Sequence, residues 1–304
     1  MRTSPFARSL SLLLIILSTL IFSCSKTNNG SSSSSTTDDS TAANLSSSSN
    51  SADNAYNDVL QLSLETGFDN NIAYMVSMLG QGKVQINSLH PGAIAPLGIY
   101  TCATYTVSPN DTSTFPKTIT VNFGAGCTSP DGVTRKGSIA FVYTGKILYP
   151  GTTVSVSFTN YSVNGYALQG TYSISNNSSL AKGISFSTQV SNGNITFPDA
   201  GYYTYSGSKT ITQTAGASTP SNLSDDVYSI TGSNTIYNSS TGNTLQDSIT
   251  SPLTKAEACG YISSGVVSFV FNNSLTGTLD FGNGSCDSLA IVKIGSFSEN
   301  IILK

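Results

Sequence analysis

The stretch that decides the fold is TVSVSFTNYSVNGYALQGTYSIS, residues 153–175. Val154, Val156 and Phe158 alternate with polar residues on the way out, and Tyr166, Leu168, Tyr172 and Ile174 share one face on the way back. Asn164-Gly165 stands between the two runs. A two-residue type I′ turn needs positive φ at both central positions, which Asn and Gly tolerate. A period of two puts every second side chain on the same face of a strand, so the segment reads as an antiparallel hairpin with one apolar face.

The same grammar continues on both sides. YYTYSGSKTITQT (202–214), DVYSITGSNTIYN (226–238), NTLQDSIT (243–250) and VVSFVF (266–271) all alternate. GISFSTQV (183–190) and NITF (194–197) flank Asn192-Gly193, which reads as a second hairpin turn. So many short runs separated by turn residues predict one antiparallel β domain over residues 98–304, as a sandwich, a barrel or an extended meander. Composition agrees. Charged residues make up 10% of the 304, there is no tryptophan, and Ser, Thr, Asn, Gly and Tyr dominate, a mixture that favours strands and turns over helices. A net charge of −3 with no basic run beyond Arg135-Lys136 excludes the cationic footprint of a nucleic-acid binder.

The N-terminus carries a different signal. Arg2 and Arg8 precede an apolar run from Leu10 to Phe22, a signal-peptide core that is too short for a membrane-spanning helix. The run ends at IFSC (21–24), which resembles the lipobox of bacterial lipoproteins, where the cysteine after a small residue is acylated and becomes the mature N-terminus. The resemblance implies a signal peptide over 1–23, a lipid anchor on Cys24 and a place in the cell envelope, at the outer membrane. Cleavage there leaves 11 basic against 16 acidic residues. Residues 25–53 are Ser-rich with no apolar periodicity and are expected to form a flexible tether. Within residues 54–97, Ala55, Val59, Leu60 and Leu62 fall near helical spacing after Asp53 or Asn54 as a cap, which predicts a short helical segment. NIAYMVSML (71–79) either extends it or forms a second helix.

Two blocks repeat. KTITVNFGAGC (117–127) aligns with LTGTLDFGNGSC (275–286), matching Phe123 to Phe281, Asn122 to Asp280, Gly124 to Gly282 and Gly126 to Gly284. Each has a cysteine upstream, Cys102 and Cys259, at near-equal spacing. In an exported chain this predicts disulfides 102–127 and 259–286 at equivalent places, in units of about 101–146 and 258–304. Structural zinc wants cysteines two to four apart, and no such pair occurs. Neither block continues as a nucleotide-binding loop, because strand-like sequence follows the glycines in place of a helix. Those glycines therefore mark a strand end with a tight turn or bulge. The paired FGxGxC-like blocks, with DGVTRKGSIAFVYTG and DDVYSITGS, also resemble a group of Bacteroidota-type lipoproteins with an all-β domain. That resemblance implies location and fold and transfers no catalytic residue.

Catalytic candidates are sparse. The lone His90 reads as a loop residue, and no G-x-S-x-G elbow occurs. Asp225-Asp226 reads as a turn or cap, and Asp280 and Asp287 flank the second glycine turn. A hydrolase would need a pocket gathering these carboxylates; a binding module would show a tyrosine-lined face, with Tyr202, Tyr203 and Tyr205 as candidates. The expectation is a noncatalytic binding or structural module, without a cofactor, whose partners are the membrane through Cys24 and a glycan or an envelope protein.

Overall fold

The computed structural model describes residues 33–69, 102–111, 113–129, 132–179, 183–198, 201–219 and 225–303. The signal peptide, Cys24, NIAYMVSML and His90 lie outside these residues. The first element is a helix, α1 (Ser33–Asp69). The first strands are β1 (Thr104–Ser108), β2 (Lys117–Thr128), β3 (Thr134–Tyr143), β4 (Thr153–Val163) and β5 (Tyr166–Asn176). Next come β6 (Ser185–Phe197), β7 (Gly201–Ala215), β8 (Val227–Asn238) and β9 (Thr244–Ala256). The chain closes with β10 (Ile262–Phe271), β11 (Leu275–Asn283), β12 (Leu289–Ile294) and β13 (Phe297–Ile302).

All thirteen strands belong to one antiparallel sheet in sequence order, so the fold is an all-β meander. Alternation sorts the side chains as the sequence predicts. In β4 the inner Val154, Val156, Tyr161 and Val163 are buried while Ser155 and Ser157 are exposed. Asn164 and Gly165 turn the β4–β5 hairpin with φ of 48° and 85°, the positive pair that a type I′ turn requires.

Asn192-Gly193 behaves differently, and no turn forms there. β6 runs straight through both residues, with register shifts against β5 and β7 at that point. A Cβ on Gly193 would lie 2.6 Å from the Tyr205 carbonyl oxygen and 2.7 Å from the hydroxyl of Tyr56 on α1. The glycine makes room for the helix, and the strand bulges instead of reversing.

The helix is the other departure. It begins at Ser33 and so takes in most of the Ser-rich tract expected as a coil. Small side chains let it lie close to the sheet: Ala42, Ala43, Ser46, Ser49 and Ala52 are all buried. Several of the Ser and Thr hydroxyls that disfavour helix are satisfied within it. Thr41 donates to the Thr37 carbonyl at 2.8 Å and Ser51 to the Ser47 carbonyl at 3.0 Å. Tertiary burial here overrides weak propensity.

α1 lies across the strands rather than along them. Ser49 meets β8 and β9, Asp53 meets β7, Asp58 meets β3 and β4, and Thr66 meets β3. Ser49 to Thr66 advances about 26 Å along a helix, close to the span of five or six strand intervals of about 4.8 Å. The same order gives the contacts of α1 with β12 and β13 to the turns before Ser49. The helix is thus about 55 Å long and covers the apolar face of a sheet about 58 Å wide. One core runs between them, with Phe141, Tyr172, Ile195, Ile236 and Phe269 on the sheet and Val59 and Leu62 on the helix.

The repeated cysteine blocks form as the spacing predicts. Cys102 pairs with Cys127 and Cys259 with Cys286, closing the open ends of the β1–β2 and β10–β11 hairpins. The Gly124 amide donates to Asn122 Oδ1 at 2.9 Å, and the Gly282 amide donates to Asp280 Oδ1 at 3.0 Å. Both glycines have positive φ, 59° and 90°, so the same side-chain-capped turn occurs twice.

Candidate functional site

The inner face is filled by α1, and its polar groups serve the helix. Arg135 forms a bidentate pair with Asp58, to which the Tyr161 hydroxyl also donates at 3.1 Å. Tyr205 and Lys209 both bind Asp53. Ser49 donates to Asp247 Oδ2, and Asn234 donates to that oxygen at 2.8 Å and to Ser49 at 2.7 Å. Asp247 Oδ1 is buried without a partner. Burial pushes the Asp247 carboxyl up to about 6, partly opposed by the Ser49 hydrogen bond. The one sequence signal for this latch is the stripe Ser49, Asp53, Tyr56, spaced four and three apart on one helix face.

Asp225, Asp226, Asp280 and Asp287 are not gathered in a pocket. Asp225 accepts from the Thr219 hydroxyl at 2.6 Å and Asp226 from Gln213 at 2.7 Å. Asp226 is buried, and desolvation raises its carboxyl pKa. Asp280 caps its turn and lies 3.7 Å from Lys293, while Asp287 accepts the Leu289 amide at 3.0 Å. Among the described residues no group of three or more His, Cys, Asp or Glu is placed to hold a metal ion.

The three candidate tyrosines divide between the faces. Tyr205 is buried against α1, and Tyr203 packs on Phe197 with ring centroids 4.6 Å apart. Tyr205 belongs to the core, while Tyr203 is partly buried at its margin. Tyr202 points to the outer face and is 46% exposed. Tyr237, also exposed, joins it: Tyr237 pairs with Thr204, two residues along β7 from Tyr202.

On this outer face the strand registers align into one row. Ser108, Thr118, Val142 and Ser155 lead from β1 to β4. Ser173, Gln189, Ser208 and Ser233 continue from β5 to β8. Ser248, Ser268, Thr278, Lys293 and Ser298 complete it from β9 to β13. Each member is paired with the next, and all but Val142 are polar. A parallel row of Ser206, Thr235, Gln246, Val270 and Thr276 runs two residues away on β7 to β11. The central part of both rows lines a trough of about 1110 Å³ that spans β6 to β12. A smaller depression of about 290 Å³ extends it over β5, along Ser173 and Ser175. Tyr202 and Tyr237 stand beyond the second row, on the Thr204 side.

Strand spacing sets neighbouring hydroxyls in a row about 4.8 Å apart. Each hydroxyl both donates and accepts, and short Ser and Thr side chains lose little rotamer entropy on being held. Sequence alone could not find this face, because bulges between β8 and β9 and within β10 decide which serines align. No protein-family model, curated protein or solved structure matches the chain.

Proposed function

We propose that this chain is a lipid-anchored, noncatalytic binding module of the cell envelope that holds a polyhydroxylated chain, a glycan, against the outer face of its sheet. The observation that carries the reading is the in-register hydroxyl row along the floor of the trough. Such a surface matches a neutral polyol, whose hydroxyls also donate and accept, and it offers little to an apolar or strongly charged ligand. Lys293 is the one charged member of the row. The flat apolar faces of Tyr202 and Tyr237 at the rim suit the carbon face of a sugar ring. The lipobox resemblance of residues 21–24 supports envelope anchoring at the outer membrane.

The test is retention of the full-length chain on immobilised peptidoglycan and on neutral envelope polysaccharides. Ser233→Val with Ser268→Val removes two hydroxyls from the trough while keeping good strand formers. Binding to one of these glycans that is lost in the doubly substituted protein, with its unfolding midpoint unchanged, is the expected result. Equal binding by both proteins, or none by either, overturns the reading.

A further inference from the structure

The large aliphatic side chains exposed among the described residues are Leu289, Ile291 and Ile302. All three belong to β12 and β13, at one end of the sheet. Ile302 is 67% exposed and Leu289 47%, and the two are cross-strand partners; Ile291 pairs with Asn300 in the same ladder. The other large exposed hydrophobic side chains of the described residues are tyrosines. β13 is also the last strand of the sheet, with Lys293 on the same face of β12 and half-exposed.

The direction of α1 places this patch. By the order of its contacts the helix begins toward β12 and β13 and ends near β3. Only nine residue steps separate Ser33 from Cys24, and nine residues fully extended reach at most about 30 Å. That is about half the width of the sheet at about 4.8 Å per strand. An anchor on Cys24 therefore keeps the β12–β13 end near the bilayer and leaves the β1–β3 end far from it.

We infer that Leu289, Ile291 and Ile302 dock on the lipid surface of the membrane that holds the Cys24 anchor, so that the β12–β13 end of the outer face lies against the bilayer. The inference rests on the lipid-anchor part of the proposed function. Three side chains are too few to hold a protein on a bilayer by themselves. The acyl anchor supplies the effective concentration that makes weak docking persist. In this pose the hydroxyl row leads away from the docked end, from Ser298 toward Ser108.

The chain contains no tryptophan, so a single introduced indole reports without background. The experiment uses the full chain acylated at Cys24, reconstituted into phosphatidylethanolamine–phosphatidylglycerol vesicles that carry lipids brominated near the headgroup. Ile302→Trp and Leu289→Trp are compared with Tyr149→Trp, which lies in the β3–β4 connection at the distal end. Docking predicts blue-shifted, quenched emission for the first two and unshifted, unquenched emission for the third. Vesicle flotation of the parent chain and of Cys24→Ala separates the two claims. A parent chain that does not float removes the anchor and the docking together. A chain that floats with the Ile302→Trp indole unquenched removes the docking alone. An indole that shifts with protein concentration in lipid-free detergent assigns the patch to a second copy and overturns the inference.

Discussion

Asp58 on α1 and Arg135 on β3 form a bidentate ion pair in which the arginine side chain is only 2% exposed. The Ser129 hydroxyl accepts from Arg135 at 3.2 Å, so the guanidinium and the carboxylate both have further partners. Loss of one partner strands a charge in the core, whereas loss of both does not. Asp58→Ala is expected to destabilise the protein by about 3–5 kcal/mol. Asp58→Leu combined with Arg135→Met should recover most of that loss. Urea unfolding midpoints of the two proteins check this; equal losses in both would show that the pair is not the helix's main polar attachment.

Asp247 gives stability a pH dependence of defined sign. Its carboxyl is pushed from the ordinary 3.8 up to about 6 by burial between α1 and the sheet. The folded state therefore binds the proton more tightly than the unfolded chain does. This contribution is complete below about pH 4 and is lost as the pH rises through about 6. A shift of this size corresponds to roughly 3 kcal/mol. Asp53, Lys209 and Tyr205 face the same cluster and stay in place in Asp247→Asn. That variant should be more stable than the parent at pH 8 and should show a flatter pH profile between 4 and 6.5. Asp226 shifts in the same direction and leaves a residual slope. A parent protein whose urea midpoint rises from pH 4.5 to 7.5 would contradict the assignment.

What could be read from the sequence divides along physical lines. The strands were legible because one face of most of them is buried, so Val154, Val156 and Ile174 alternate with serines. The disulfide-stitched hairpins were legible because Phe123 and Phe281 sit in the same turn chemistry. The two Asn-Gly pairs had the same local signal and different outcomes. Asn164-Gly165 meets only Thr134 and Pro198 of neighbouring sheet segments, whereas Gly193 faces Tyr56 of a distant element. The helix over 33–53 was hidden because its buried face is Ala and Ser apart from Leu45, which leaves no hydrophobic period. Its stability comes from strands that lie more than a hundred residues away, through Asn234 and Asp247.

The helical reading of the Ser-rich tract has its own test. Ala52 is fully buried inside α1. Proline there removes an intrahelical hydrogen bond and clashes with the preceding turn, so Ala52→Pro should cost about 3 kcal/mol or more. Asn44 is exposed on the same helix, and Asn44→Ala should add about 0.5 kcal/mol through propensity alone. In a coil tether neither change would move the unfolding midpoint. Thermal and urea unfolding of both variants decide between helix and coil.

Gly193 and Tyr56 are coupled through space. The Tyr56 hydroxyl donates to the Gln169 carbonyl at 3.2 Å, and its ring stacks on Tyr205 and Tyr172 at 5.1 and 5.9 Å. A methyl group on Gly193 would press on that hydroxyl and on the Tyr205 carbonyl. Gly193→Ala is therefore expected to destabilise by about 1–3 kcal/mol, as overpacking does. Tyr56→Phe removes the hydroxyl and keeps the ring, at about 1 kcal/mol for the lost hydrogen bond. In the doubly substituted protein the methyl still meets the Tyr205 carbonyl and Val190 Cγ1 but no longer the hydroxyl, so the two losses should sum to more than the double change costs. A double-mutant cycle reads the difference as a coupling of at least about 0.5 kcal/mol. Strict additivity would mean that the bulge in β6 is held by the strand pairing and not by the helix.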